Sequence, residues 1–325
     1  MKDLPEKELL MNKIMKTIEI AWDIRTELHK KDIDNWLTNF SGHALCNNPN
    51  NGQELSDSQN LEQHIALFML CNFVFYSKNE IKRLLKLMFE KYIHSVFTRE
   101  KKNTATDDDI NDLLRETQFS PLGSPSESSS YLLYHFRQEN DLSKKSFSEN
   151  LNINKTNVVF VDDFSISGSQ AKERFEEFVT KCQKEKKDVS GKYFYMLLMV
   201  TTEEAMKLLT EIPNMTALPC IIMDNKSRVF SDSSIVFEGY KEKYKTQAKK
   251  MCEYYGEKLI DEKSKKEGMN SLGFGGDGYI FGSYYNIPNN TLPIFWSEQN
   301  NWKHLLKRYD KKYGDNNLIF GGRYV

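Results

Sequence analysis

The 325-residue chain carries 45 basic and 46 acidic residues, a formal net charge of −1, so no overall field draws it to nucleic acid or to a membrane surface. Its length permits one large or two small domains with a sizeable core. Its five cysteines, Cys46, Cys71, Cys182, Cys220 and Cys252, are odd in number, far apart and fit no metal-ligand spacing, which sets the expectation of a reducing cytoplasm.

The first twenty residues are charged throughout and lack the apolar centre of a signal peptide. Residues 4–112 carry helical periodicity with no convincing strand. Leu9, Leu10, Ile14, Ile18 and Ala21 make one apolar stripe, and a second helix is expected from about Ser56 to Tyr76 after the polar loop CNNPNNGQ. Its apolar run at 65–76 is about half the length of a bilayer span and contains Asn72, so it reads as a core helix and no membrane partner is expected. Ser77 and Glu80 have capping-box spacing, which predicts a third helix carrying Ile81, Leu84, Leu85, Leu87 and Met88. These helices make an α-helical N-terminal lobe, assigned to residues 1–112.

Thr106 followed by Asp107, Asp108 and Asp109 predicts a helix start, with the acids compensating the dipole rather than holding a metal. QFSPL reads as a short strand leading into GSPSESSS and a helix from near Ser128. Two readings of this loop stay open. It is either a Ser/Pro/Gly connection, or an anion loop in which Ser124, Ser126, Ser128 and Ser129 supply hydroxyls and Arg137 a cation. Residues 141–156 read as a plain connection, although Lys144 and Lys145 lie where a closing flap would put them.

NVVFVDDFSISGSQ at 157–170 is the densest signal. Val158, Val159, Phe160 and Val161 predict a strand covered on both faces, and Asp162 and Asp163 are expected to end it. The small residues Ser165, Ser167, Gly168 and Ser169 precede a helix carrying Ala171, Phe175 and Phe178. Orphan N–H groups and the dipole of that helix favour an anion, and a glycine permits its close approach. Two acids just upstream must face something neutral or cationic, such as a ribose diol or a hydrated Mg²⁺. The expected ligand is a sugar 5-phosphate.

Strands at 192–200 and 217–224 alternate with helices, one of them capped by Thr201 and Glu204, and this argues for a parallel α/β sheet occupying 113–325. Ligands of such sheets sit beyond the carboxyl ends of the strands, where Asp162, Asp163 and Asp224 are expected, Asp224 being equally the start of a turn. Gly273, Gly275 and Gly278 match a dinucleotide spacing but precede a strand instead of following one, so that cofactor is rejected. Trp296 is read as core in preference to a base-stacking residue. His64, His94 and His135 read as structural, and no catalytic triad is expected.

The stretch 157–170 resembles the phosphoribosyl-pyrophosphate motif of type I phosphoribosyltransferases. On that motif Asp162 and Asp163 take the diol-binding positions, Ser167 the first loop Thr, Gly168 the first Gly, and Ser169 and Gln170 depart from the second Gly and last Thr. Together with NNTLPIFW at 289–296 and PLGSPSESSSYLLYHFRQEN at 121–140 it resembles the divergent phosphoribosyltransferase-CE family of bacterial conflict systems, some of them associated with retron reverse transcriptases. The resemblance implies an α/β fold with a parallel sheet of the type I phosphoribosyltransferase kind. It implies Asp162 and Asp163 as catalytic and metal-binding residues, and Ser165, Ser167, Gly168, Ser169 and Gln170 as the phosphate loop. Ser124, Ser126, Ser128, Ser129 and Arg137 would be the pyrophosphate-loop candidates and Mg²⁺ the cofactor. The implied partners are phosphoribosyl pyrophosphate or a nucleotide, and the proteins of a defence complex, among them a reverse transcriptase with its RNA or DNA. Two functions follow: a phosphoribosyl-transfer enzyme, or a catalytically inactive nucleotide-sensing or partner-binding module on the same fold.

Overall fold

The computed structural model describes residues 1–24, 27–102, 104–122 and 128–308, the side chains of 128–130 excepted. The amino-terminal third forms α1 (Lys7–Thr17), a π-helical turn (Ile18–Trp22), α2 (Lys30–Leu37), α3 (Gly52–Cys71), β1 (Val74–Tyr76) and α4 (Lys78–Arg99). There follow α5 (Asp107–Arg115), β2 (Thr117–Pro121), α6 (Ser128–Glu139), β3 (Asn157–Ser165), α7 (Ser169–Lys184), β4 (Tyr193–Thr202), α8 (Glu203–Thr210) and β5 (Met215–Met223). The chain continues through α9 (Glu242–Lys258), α10 (Glu262–Lys266), the two-residue strands β6 (Met269–Asn270) and β7 (Gly273–Phe274), and β8 (Phe281–Ser283).

The expected parallel sheet is present, in the order β2-β3-β4-β5. Its centre is apolar on both faces, as the uninterrupted run in β3 requires. Val159 and Val161 pack among Leu85, Met88 and Tyr92 of α4 and Phe136 of α6. Val158 and Phe160 pack on Phe175 of α7 and Leu209 of α8. Each such side chain contributes about 1.5–3 kcal/mol by leaving water. α4 lies across the sheet from the carboxyl to the amino ends of the strands, where Arg99 donates to Tyr195 Oη at 2.6 Å and to Asn157 Oδ1 at 3.3 Å.

Several local expectations need correction. The second helix begins at Gly52, where Asn51 Oδ1 accepts the Gln53 and Glu54 N–H groups at 3.1 and 3.3 Å, and it stops at Cys71. Residues 74–76 form a strand paired in parallel with β8, although periodicity alone placed no strand before 112. Three residues are too few for a period-2 signal. The apolar stripe of α1 keeps Leu10, Ile14 and Ile18, but Leu9 and Ala21 are exposed. The π turn widens the helix and brings Trp22 inward in place of Ala21. The cap placed at Thr201 belongs to Thr202, whose Oγ1 accepts the Ala205 N–H at 3.0 Å. The capping boxes at Ser77/Glu80 and Thr106/Asp109 are both present.

The connection at 141–156 covers the β2 edge. Phe147 stacks on Phe119 with ring centroids 5.1 Å apart, and Gln118 Nε2 donates to the carbonyls of Ser148 and Asn150. The spans 1–112 and 113–325 share both large cores. Helices α1–α3 pack with α9 and the 287–306 segment, and α4 packs on the sheet. The first of these cores is pinned by Glu62, fully buried, which accepts the N–H groups of Gly42, Ala44 and Leu45 and the hydroxyl of Tyr255. Among the described residues no helix is long and apolar enough to cross a membrane.

Candidate functional site

β2 stops at Pro121, paired with Val161, whereas β3 continues to Ser165 beside β4. Asp162 and Asp163 therefore do not end their strand. They occupy its projecting last turn of pleat, past the end of β2 and at the carboxyl edge of the sheet. Asp162 pairs with Leu198 in the ladder, and its Oδ1 accepts the N–H of Asp163 at 3.0 Å. Asp163 is 3% exposed; its Oδ1 accepts the Phe164 N–H at 2.9 Å and its Oδ2 accepts Asn286 Nδ2 at 2.8 Å.

Asn286 arrives there through a short layer laid over the strand end. The β1–β8 pair holds Phe164 between Tyr76 and Phe281, with ring centroids 6.1 and 5.3 Å away. At the end of β8, Ser283 accepts the Asn286 N–H on its Oγ and donates its own N–H to the Asn286 carbonyl, closing a turn. That turn presents Asn286 to Asp163 and stacks Tyr284 and Tyr285 against each other beside it. The Tyr285 ring lies 5.2 Å from Tyr131 of α6 and 5.1 Å from Tyr284, and the Tyr131 and Tyr284 hydroxyls are hydrogen-bonded at 3.1 Å. Burial holds the Tyr284 and Tyr285 phenols well above their ordinary titration range, and burial with the Glu80 charge pushes Tyr76 up to about 12. All three are neutral hydrogen-bond donors at physiological pH.

Beyond the acids, Ser165 is buried and its carbonyl accepts Thr201 Oγ1 at 2.7 Å, while the Ile166 carbonyl accepts Thr202 Oγ1 at 2.7 Å. The loop is thus tied to the end of β4. Ser167, Ser169 and Gln170 are exposed, and Ser167 Oγ accepts the Ser169 N–H at 3.4 Å. Gly168 is the N-cap of α7 at φ +73° and offers no side-chain cap. A Cβ there would stand 3.1 Å from both the Cα and the carbonyl oxygen of Ala205 in α8. The glycine is therefore required by handedness and by helix–helix contact before any phosphate is considered.

The remaining sequence candidates are not brought together in the same way. Ser124 and Ser126 lie outside the described residues, and Ser128 and Ser129 are described only as the start of α6. Arg137 is in the last turn of α6, roughly 13 Å along the axis from Ser128, with its guanidinium 5.6 Å over the Tyr134 ring. Asp224 starts a turn, its Oδ1 accepting the Lys226 N–H. Trp296 packs against the first core and donates to the Thr291 carbonyl. Gly273 opens β7, Gly275 and Gly278 lie between β7 and β8, and all three have positive φ away from any helix start.

Among the described residues no three His, Cys, Asp or Glu side chains gather as a metal cage. A hydrated cation would meet Asp162 and Asp163 here, with Asp163 3% exposed and both its oxygens already accepting N–H groups. The surface hollow lined by Asn12, Met15, Lys16, Ile18 and Glu19 contains none of the candidate residues.

The PRTase-CE family model matches residues 33–308. The chain belongs to the PRTase-CE family. The PRTase-CE match runs from α2 to beyond the last described strand, so it takes in α3 and α4 as well as the sheet, and both Asp163 and Asn286. No curated protein matches the chain. Asn286, Tyr285 and Tyr284 carry no signal in the sequence, where YIFGSYY at 279–285 reads as a strand and the segment from Asn286 as irregular. Asn286 lies 123 positions from its partner Asp163, and no motif spacing links them.

Proposed function

We propose that this phosphoribosyltransferase-like protein binds a ribose 5-phosphate ligand, phosphoribosyl pyrophosphate or a nucleotide, at the carboxyl end of β3. The observation that carries the reading is one short stretch of backbone. Asp162 and Asp163 project past β2, and five residues later an uncapped helix begins at Gly168. The first-turn N–H groups of α7 take the 5-phosphate, where the dipole favours an anion. The two carboxylates accept from the hydroxyls of the ribose. Asp162 and Asp163 would hold a Mg²⁺ through its waters, and the metal would supply charge stabilisation for a departing pyrophosphate. The chain's own part in transfer is to hold the anomeric carbon in line between acceptor and leaving group.

Membership of the PRTase-CE family and the resemblance of 121–140 and 289–296 to conflict-system proteins support the wider role. In it the protein is a cytoplasmic effector of a bacterial antiphage system of retron type, acting with partner proteins that include a reverse transcriptase and its nucleic acid. A second reading is a module of the same fold that senses a nucleotide and turns nothing over. It is favoured by Ser169 and Gln170 in the first turn of α7 and by the Ala205 contact, which accounts for Gly168 without a phosphate.

Calorimetric titration of phosphoribosyl pyrophosphate with and without Mg²⁺, followed by a pyrophosphate-release assay with the four common bases, separates these readings. Binding with release supports the enzyme, and binding without release the sensor. Asp162→Asn with Asp163→Asn removes two carboxylates while keeping their size, so Mg²⁺-dependent affinity falls at least tenfold. Equal weak binding by wild type and variant would reduce the site to a structural turn.

A further inference from the structure

The hydroxyl oxygen of Tyr285 is buried and has no hydrogen-bond partner among the described residues. A phenol in that state is costly, because it gave up water and received nothing. It is not an accident of a loose side chain. The ring is packed between Tyr131 of α6 and Tyr284, and Tyr131 and Tyr284 are locked to each other through their hydroxyls. The next residue is Asn286, bonded to Asp163. Burial, and then the charge of Asp163, hold the Tyr285 phenol above its ordinary range. A donor fixed by its packing is thus one residue from the amide that holds Asp163.

We propose that Tyr285 is a ligand-contacting residue of this site, its hydroxyl donating to a sugar hydroxyl that in turn donates to Asp162 or Asp163. A hydroxyl is the group that satisfies both sides at once, since it donates one proton and accepts on its lone pairs. A phosphate oxygen accepts from Tyr285 but offers nothing to the carboxylates. The arrangement therefore selects the polyol part of a phosphorylated sugar. It rests on the reading of the site as one for a ribose 5-phosphate, and it adds the aromatic segment after β8 to the binding surface.

The test uses the full chain, wild type and Tyr285→Phe, with ribose 5-phosphate and inorganic phosphate as probes in the presence of Mg²⁺. Removing the hydroxyl keeps the ring, so the aromatic packing persists. Ribose 5-phosphate affinity falls about 3–10-fold while that for inorganic phosphate is unchanged. The Tm of the ligand-free variant is equal to wild type or about 1–3 °C higher, because an unpaired buried polar atom has been deleted. A variant that binds ribose 5-phosphate as tightly as wild type overturns the proposal and leaves the site reading standing. So does a variant whose affinity for both probes falls together or whose Tm drops, since either marks a merely structural tyrosine. Failure of the wild type itself to bind ribose 5-phosphate removes the site reading and this inference with it.

Discussion

Asn286 donates its side-chain amide to Asp163 Oδ2 at 2.8 Å, joining the turn after β8 to the projecting end of β3. Asp163 is 3% exposed, so this donor replaces water that the carboxylate has lost. Asn286→Ala leaves one buried oxygen short of a donor, and the expected loss of stability is about 1–3 kcal/mol. Urea denaturation with both proteins at one pH measures it. An unchanged midpoint would mean that water readily takes the amide's place.

Gly168→Ala is expected to lower stability in the absence of any ligand. The residue has φ +73°, and the added methyl would meet the backbone of Ala205 at 3.1 Å. Left-handed strain and the contact together cost about 1–3 kcal/mol. Thermal unfolding of the ligand-free protein reads this directly. A Tm equal to that of wild type would return the glycine to a purely ligand-facing role.

Glu62→Gln tests the junction between the amino-terminal helices and α9. The carboxylate accepts three N–H groups at 2.8, 2.9 and 3.0 Å and the Tyr255 hydroxyl at 2.6 Å. A glutamine turns an NH₂ toward some of these donors, with an expected cost of about 2–3 kcal/mol. Tyr255→Phe removes one donor only and is expected to cost about 1 kcal/mol. Denaturant midpoints should rank wild type, Tyr255→Phe, Glu62→Gln in descending order, and the reverse order of the two variants would refute the account.

Alkaline pH should weaken the fold through its buried thiols and phenols. Burial pushes the thiols of Cys71 and Cys220 from 9.0 up to about 11, and burial with the Glu80 charge pushes Tyr76 from 10.0 up to about 12. These groups keep their protons in the folded state after the unfolded chain has lost them. Their contribution is complete below about pH 9 and is lost as the pH rises through 11 and 12. Denaturant midpoints followed from neutral pH to about pH 12 should be flat and then decline. A decline already complete at pH 9 would contradict the assignment.

The parallel sheet, the capping box at Ser77, the helix start at Thr106 and the succession of strand, small-residue loop and helix at 157–170 were legible in the sequence, because each rests on neighbours a few residues apart. Period, cap spacing and an apolar run are local properties, and the burial of Val158–Val161 on both faces follows from them. What the chain order did not carry was where β2 stops relative to β3. That register leaves Asp162 and Asp163 projecting at an edge instead of closing a strand. Nor did it carry the reason for Gly168, since Ala205 reaches it only when α7 and α8 pack side by side. Asn286 and Tyr285 come to the acids from more than a hundred residues away, through the pairing of β1 with β8. A contact of that kind leaves no periodicity in the sequence, so tertiary packing alone decided which residues surround the acids.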